Sequence, residues 1–151
     1  MSQTHPYPVE VAWFGGRDGA GTVRGKGSGV ENPLGVPGEF GGTGRGTNPE
    51  ELLAAAVAAC YTITFGIIAA NRKLPFIGIK ATAVGEVEQN GMQFTYKSIT
   101  ISPTITLECG ATDEQLAAAE DMAHKADLYC IITNAVRDKV AISVEPNIVR
   151  Q

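Results

Sequence analysis

Residues 52 to 70 read LLAAAVAACYTITFGIIAA, a stretch that contains no charged side chain and decides the fold. It follows Thr47-Asn48-Pro49-Glu50-Glu51, which has the residue types of a helix start. Thr47 or Asn48 can cap the first amides, proline suits the first turn, and the two glutamates oppose the positive end of the helix. The pattern therefore predicts a long helix with Cys60 near its middle.

The predicted helix is long enough to span a bilayer, because about 20 apolar residues suffice. Its composition argues against insertion, since alanine dominates and Thr62, Thr64 and Gly66 interrupt the run. Insertion is driven by leucine, isoleucine, phenylalanine and valine far more than by alanine. A helix that is apolar on all sides and lies outside lipid must be enclosed by protein. We therefore expect no membrane partner, and we expect the rest of the chain to wrap this helix.

The size and charge of the chain argue against several classes of protein. A chain of 151 residues is expected to form one domain, residues 1–151, with a real core. The net charge of −4 and the pI near 5.1 predict no nucleic-acid partner. The N-terminal residues 1–10 lack the apolar core of a signal peptide, so a cytoplasmic location is expected.

The cysteines and histidines do not form a structural framework. Cys60, Cys109 and Cys130 are an odd set, which is not expected to build disulfides in the cytoplasm. His5 lies in a proline-flanked terminus, and His124 has no ligand at helical spacing. Since no two cysteines are close in sequence either, we predict no metal site. At least one cysteine is then expected to be chemically active.

The glycine-rich residues 19–46 do not match a nucleotide-binding loop. Gly41 and Gly46 have the outer spacing of a phosphate loop, but Thr47 stands where lysine is required. Gly19-Ala20-Gly21 is followed by Arg24 where a dinucleotide fingerprint needs its third glycine. Turns between short strands explain these glycines better, and no cofactor is predicted.

Alternating apolar residues predict strands on both sides of the helix. One strand covers Val9–Phe14, and short strands and loops are expected in residues 19–46. Residues 77–87 and 94–107 alternate on either side of Asn90-Gly91, which is a hairpin signal. These two segments are therefore predicted to pair antiparallel.

The C-terminal third adds helices and a last strand. Thr112 and Gln115 have the spacing of a capping box and open a second amphipathic helix. A short turn or helix is expected at residues 130–137, followed by a strand at residues 140–144. Helices and strands are segregated along the chain, which is typical of an α+β protein.

Three separated motifs carry a resemblance to a known family. They are residues 47–56 together with Ala58-Ala59-Cys60-Tyr61, the segment Cys130-Ile131-Ile132-Thr133-Asn134-Ala135-Val136-Arg137, and the turn Gly15-Gly16-Arg17-Asp18-Gly19. In their order along the chain, and over nearly its whole length, these motifs resemble the OsmC/Ohr family of thiol-dependent hydroperoxide reductases. The resemblance implies an enzyme of oxidative stress defence, an organic hydroperoxide reductase, built as an intertwined homodimer with antiparallel sheets around a central buried helix.

Two positions depart from the family pattern. Ile131 follows the second cysteine, where the Ohr branch usually has proline, and Glu39-Phe40 stand where the OsmC branch carries its active-site arginine. The second departure favours Arg17, which resembles the arginine of the Ohr turn. Arg24 and Arg45 remain alternatives, so the branch stays open.

The chemistry of a thiol accounts for an arginine in the site. A thiol attacks a peroxide only as the thiolate, and a free cysteine with a pKa of about 8.5 is mostly protonated at neutral pH. A guanidinium lowers that pKa, and the planar donor fork of Arg17 suits both the thiolate and a peroxide oxygen. Glu50 would orient Arg17 as a bidentate partner. The simpler interpretation of Glu50 is a first-turn charge that opposes the helix dipole.

Helix geometry restricts how Glu50 can join the site. In one straight helix Glu50 and Cys60 would be about 15 Å apart along the axis. They meet only if the helix breaks or if Glu50 comes from a second subunit. The resemblance implies the second arrangement, with two sites at the interface of a homodimer.

Cys130 is predicted to be the resolving thiol. Once peroxide has oxidised Cys60 to the sulfenic acid, a nearby thiol condenses with it to a disulfide, which an external dithiol then reduces. The alternative for Cys130 is a small buried apolar residue. Cys109 has no partner in the family pattern and is interpreted as a bystander.

Several apolar residues predict a preference for alkyl or fatty acyl hydroperoxides over hydrogen peroxide, although each would fit a plain core equally well. They are Leu52, Leu53, Tyr61, Phe65, Tyr129 and Ile131.

Two other functions are compatible with the same pattern. One is a binding module that carries a small hydrophobic ligand, with its cysteines merely packed. The other is a redox sensor that passes its oxidation to a partner protein. An arginine beside Cys60 separates the enzyme from the carrier, because a carrier has no need of a guanidinium there.

Overall fold

A computed structural model describes residues 1–151, and its longest helix is the one that the uncharged stretch predicts. This helix, α1, runs unbroken over Pro49–Asn71. Asn48 caps it, because its Oδ1 accepts a hydrogen bond of 2.8 Å from the amide of Glu51. The Thr47 hydroxyl donates to the Glu51 carboxylate over 3.2 Å. The predicted start of the helix is therefore confirmed.

Only one face of α1 is buried in the chain. Side chains at helical spacing along this face lie in the core, namely Ala54, Val57, Tyr61, Phe65 and Ala69. On another face Ile63 is 64% exposed and Ile67 is 57% exposed. One chain alone therefore does not enclose α1 on every side. By length and composition α1 is also the one helix long and apolar enough to cross a membrane.

The chain divides into two compact units, Met1–Leu52 and Leu53–Gln151. The first unit contains a three-stranded antiparallel sheet of β1 (Val9–Phe14), β2 (Ala20–Gly25) and β3 (Glu31–Leu34), in that order. This confirms the first strand and the short strands expected in the glycine-rich region. A single 3-10 turn, Gly38–Phe40, follows. That the two units make one domain stays a prediction.

The second unit is built on a long hairpin of β4 (Phe76–Asn90) and β5 (Gln93–Leu107). The strands pair antiparallel up to Asn90 and Gln93, and Gly91 in the turn has a φ of +63°, which glycine adopts without strain. The hairpin predicted from Asn90-Gly91 is confirmed.

The C-terminal strands differ from the sequence expectation of one last strand. Two strands, β6 (Ala141–Val144) and β7 (Asn147–Arg150), both pair parallel with β5. Pro146 separates them, because proline has no amide to donate to the ladder. The sheet is therefore mixed, with a parallel edge beside the antiparallel hairpin.

The helices of the second unit cover the sheet. Helix α2 (Asp113–Lys125) begins at the predicted capping box, in which Thr112 and Gln115 bond each other's amides over 2.9 and 3.2 Å. A 3-10 turn, Ala126–Tyr129, leads into the short helix α3 (Ile131–Val136). The core joins α1, β5 and α2 through Val57, Tyr61, Phe65, Ile99, Ile101, Ile105, Ala119, Met122 and Ala123. The protein is thus α+β, with antiparallel sheets and a central helix, as predicted.

Candidate active site

The structure brings two of the predicted site residues, Cys60 and Cys130, into direct contact. Cys60 lies midway along α1 and is half-buried, whereas Cys130 precedes α3 and is fully buried. The Cys130 thiol lies close enough to Cys60 to act as a hydrogen-bond donor that lowers the pKa of the Cys60 sulfur. Two thiols far apart in sequence therefore form a pair at the junction of two helices.

The sulfur of Cys60 is surrounded by hydrogen-bond donors. Burial raises the pKa of the Cys60 thiol, but hydrogen bonds favour the thiolate and the net pKa lies below its ordinary value. The donors, in decreasing order of effect, are the Cys130 thiol, the Ile132 amide, the Thr64 hydroxyl and the Ile131 amide. Thr64 lies one helical turn after Cys60, with its Oγ1 4.0 Å from Sγ. Together these four hydrogen bonds lower the pKa of Cys60 by more than burial raises it.

Cys130 has the opposite electrostatic balance. Burial raises the pKa of its thiol, and the hydrogen bond to Cys60 raises it further. The amide of Thr133 donates to Sγ of Cys130 over 3.3 Å, which works against these effects without reversing them. Cys60 is therefore the thiol that ionises first, and Cys130 keeps its proton as a donor to it.

A network of polar side chains clamps the segment that carries Cys130. The Arg137 guanidinium donates to Oδ2 of Asp127 over 3.2 Å and to the Asp127 carbonyl over 2.9 Å. The same guanidinium donates to Oδ1 of Asn134 over 3.2 and 3.1 Å. Nδ2 of Asn134 in turn donates to the Leu128 carbonyl over 2.9 Å. We call Asp127, Asn134 and Arg137 the clamp.

Sequence reasoning missed the clamp and the backbone donors. Asn134 and Arg137 stand in the motif around the second cysteine, at a spacing of three that puts both on one helix face, and this was the available signal. The amides of Ile131 and Ile132 give no signal in the sequence, because every residue except proline supplies a backbone amide.

Two of the residues considered for a substrate pocket lie instead in the core. Tyr61 and Phe65 have no exposed surface, and the Tyr61 hydroxyl donates to the Ala123 carbonyl over 2.7 Å. Burial, assisted by the charge of Asp127, raises the pKa of Tyr61 well above its usual range. Tyr129 and Ile131, by contrast, are exposed on either side of Cys130. The apolar surface near the thiol pair comes from these two and Leu128.

Arg17 occupies the turn between β1 and β2. Its Nη1 donates to the Phe40 carbonyl over 2.5 Å. Gly41, next in the chain, has a φ of +79°, and a Cβ there would lie 3.1 Å from Cδ of Arg17. The loop after the 3-10 turn is therefore shaped to accept this arginine against its backbone.

The other candidate arginines, Arg24 and Arg45, are exposed, as Arg17 is. Arg24 on β2 stands in register between Glu10 of β1 and Glu31 of β3, so two carboxylates flank it on the sheet surface. Arg45 lies in the loop before α1.

Glu50 lies in the first turn of α1, half-buried, with one carboxylate oxygen fully buried. Because α1 is unbroken between Glu50 and Cys60, about 15 Å of helix rise separates them within one chain. Cys109 is exposed on the turn that follows β5.

The chemistry that the geometry supports is that of the Cys60 and Cys130 pair, in which a thiolate has a second thiol beside it as a hydrogen-bond donor.

Comparison with known proteins gives consistent matches. A profile of the family described as OsmC-like protein matches residues 42–145. The Bacillus subtilis protein YmaD, described as uncharacterized, is 29% identical over 95% of this chain and 95% of its own. An organic hydroperoxide resistance protein of Xanthomonas axonopodis pv. citri is 26% identical over 91% of this chain and 92% of its own. The crystal structure of an organic hydroperoxide resistance protein OsmC from Legionella pneumophila superposes with a TM-score of 0.75 at 25% identity, covering 95% of this chain and 99% of the other.

Proposed function

The chain belongs to the OsmC-like family, and on this premise we propose that it is a thiol-dependent peroxidase that reduces organic hydroperoxides to alcohols. Relatives described as organic hydroperoxide resistance proteins match nearly its whole length. The observation that carries the proposal is the thiol pair, in which the pKa of Cys60 is lowered and the pKa of Cys130 is raised. The nucleophile has to be a thiolate, which a lowered pKa favours, and a second thiol beside it is placed to resolve the sulfenic acid.

The proposed reaction starts with Cys60. Its thiolate attacks the terminal oxygen of the hydroperoxide, so that a sulfur–oxygen bond forms and the oxygen–oxygen bond breaks. The leaving alkoxide takes from solvent the proton that the Cys60 thiol released on ionisation and departs as the alcohol, while Cys60 keeps the OH group as a sulfenic acid. Cys130 then attacks the Cys60 sulfur, a disulfide forms, and the sulfenic oxygen leaves with the Cys130 proton as water. An external dithiol reduces the disulfide and returns both thiols.

Arg17 and Glu50 complete the proposed site. A guanidinium stabilises the thiolate and the negative charge that develops on the peroxide oxygens, and a carboxylate holds it in orientation. Since α1 is unbroken, the Glu50 that serves a given Cys60 belongs to a second subunit. The exposed face of α1 with Ile63 and Ile67 supports an apolar contact between copies. The proposed assembly is accordingly a homodimer with shared sites.

The proposed substrates are alkyl or fatty acyl hydroperoxides. Leu128, Tyr129 and Ile131 expose apolar surface on both sides of Cys130, which suits a hydrocarbon chain better than hydrogen peroxide. The proposed location is the cytoplasm, where dithiol reductants are available. A carrier of hydrophobic ligands would explain the apolar surface but has no use for a lowered thiol pKa, so the enzyme is favoured.

A coupled assay tests the activity. The reduced protein is mixed with a dithiol and either cumene hydroperoxide or hydrogen peroxide, and peroxide consumption is followed with Cys60→Ser as the control. The proposal predicts turnover that is faster with cumene hydroperoxide and absent in the variant. Equal, uncatalysed rates for the parent and the variant would refute it.

Mixing variants tests the shared site. Cys60→Ser and Glu50→Ala chains should each be inactive alone, but a heterodimer should have one site with an intact cysteine and the partner's intact glutamate. Part of the activity should return on subunit exchange. No recovery, with heterodimers confirmed by native mass spectrometry, would refute the contribution of Glu50 across the interface.

A further inference from the structure

The clamp encloses the part of the chain that supplies three of the four donors to Cys60. These donors are the Cys130 thiol and the amides of Ile131 and Ile132. Arg137 binds Asp127 on one side of this segment and Asn134 on the other. Any movement of the segment therefore has to break bonds of the clamp.

We propose that Arg137 is a positioning residue for the thiol pair, which holds the segment from Asp127 to Asn134 in the conformation that presents Cys130 and two amides to Cys60. The proposal rests on the proposed function for its catalytic meaning. Its structural content, that the clamp sets the reactivity of the thiols, is independent of the substrate.

Local structure alone does not hold this segment. Helix α3 has only 6 residues, and isolated helices of this length are not stable in water. The backbone bonds at its start run from the Cys130 amide to the Asp127 carbonyl, 3.2 Å, and from the Asn134 amide to the Cys130 carbonyl, 3.0 Å. Packing of Ile132 and Val136 against the core holds the segment in place, and the side-chain bonds that cross from before Cys130 to after it restrain the direction of its donors.

The geometry requires arginine at position 137. The guanidinium donates to three acceptors, which are the carboxylate and the carbonyl of Asp127 and the amide oxygen of Asn134. Asp127 is only 8% exposed, so its charge needs a close cationic partner. A lysine would supply the charge, but its ammonium lacks the fork that reaches all three acceptors.

The test compares Arg137→Lys with Arg150→Lys. Arg150 makes the same kind of contact in the same unit, because it donates to the Ala111 carbonyl and to the Asp113 carboxylate. Both of these acceptors lie outside the Cys130 segment, so Arg150 is a matched control for the loss of a guanidinium fork. Circular dichroism and thermal melting of each variant establish that it is folded.

Two readouts report the thiols without any peroxide. The first is the alkylation rate of Cys60 by iodoacetamide as a function of pH, resolved from Cys109 by peptide mass spectrometry. The second is the rate of disulfide formation between Cys60 and Cys130 with diamide, which takes up the two thiol hydrogens. We expect Arg137→Lys to slow both rates roughly three- to tenfold near neutral pH, the loss typical of one hydrogen bond. Arg150→Lys should leave both rates within about twofold of the parent.

The outcomes distinguish a failure of the positioning role from a failure of the proposed function. Rates in Arg137→Lys equal to the parent's, or an equal loss in Arg150→Lys, would overturn the positioning role. If Arg137→Lys does not fold, Asn134→Ala removes the other end of the clamp while keeping the ion pair and a good helix former. Asn134→Ala should also slow both rates. Parent-like rates in folded Asn134→Ala would overturn the proposal, and so would failure of both variants to fold. A parent that forms the disulfide with diamide but consumes no organic hydroperoxide would refute the proposed function and leave the clamp intact.

Discussion

Replacement of Cys130 by alanine should make Cys60 a slower nucleophile, in addition to removing the resolving thiol. The Cys130 thiol supplies the strongest of the hydrogen bonds that favour the Cys60 thiolate. A hydrogen bond to a charged group contributes about 1.5–3 kcal/mol, and we take about 1 kcal/mol here because sulfur is a weak acceptor and Cys60 is half-exposed. At a pH well below the pKa of Cys60, this free energy corresponds to about fivefold less thiolate.

The assay is the rate of Cys60 alkylation by iodoacetamide at about pH 6, below the ordinary thiol pKa, measured by peptide mass spectrometry. Cys130→Ser is the matched control, because a hydroxyl keeps a donor at the same position and both variants lose the disulfide equally. We expect Cys130→Ala to react about fivefold more slowly than the parent, and Cys130→Ser to stay within about twofold of it. An alanine variant that reacts as fast as the parent, with an unchanged melting temperature, would refute the reasoning that the Cys130 thiol stabilises the thiolate.

Three further predictions concern the donors and the charge at the site. Ile131→Pro removes one amide but fits the backbone, since Cys130 is extended with φ −78° and ψ 117° and proline suits the first position of a helix. Alkylation of Cys60 should slow about twofold, because one donor to its sulfur is lost. A rate equal to that of the control variant Ile131→Val would argue against this donor. Arg17→Ala should slow both alkylation and hydroperoxide reduction, and Arg17→Lys should not restore reduction because it lacks the planar fork; a fully active Arg17→Lys enzyme would show that only the charge matters. Hydroperoxide reduction by the parent should fall as the pH is lowered through the depressed pKa of Cys60, because the thiolate is lost there, and a stopped-flow rate that is flat or rising toward acid would contradict a thiolate nucleophile.

The parts of the fold that sequence predicted correctly depend on local signals. The cap at Asn48, the capping box at Thr112 and the turn at Gly91 each involve residues within four positions of one another, so their physical chemistry is visible in the sequence. The parallel pairing of β6 and β7 with β5 depends on where the chain returns after α3. No local residue pattern encodes that return, and the second of these strands was not predicted.

The same limit applies to the site. Cys60 and Cys130 were paired through the family motifs, and in the structure they lie close enough for each to shift the pKa of the other. The amides that lower the pKa of Cys60 belong to Ile131 and Ile132, whose side chains give no hint of the role. Ile131 was noted as a departure from proline, and its consequence is one additional amide, whose hydrogen bonding lowers the pKa of Cys60.

The most direct measurement of the central claim is a single turnover without reductant. The fully reduced protein receives one equivalent of cumene hydroperoxide, and the products are analysed by chromatography, intact mass and peptide mapping. The account predicts about one equivalent of alcohol, a protein lighter by two hydrogen atoms, a disulfide between Cys60 and Cys130, and a free Cys109. Unconsumed hydroperoxide, or a disulfide that links Cys60 to Cys109, would contradict it.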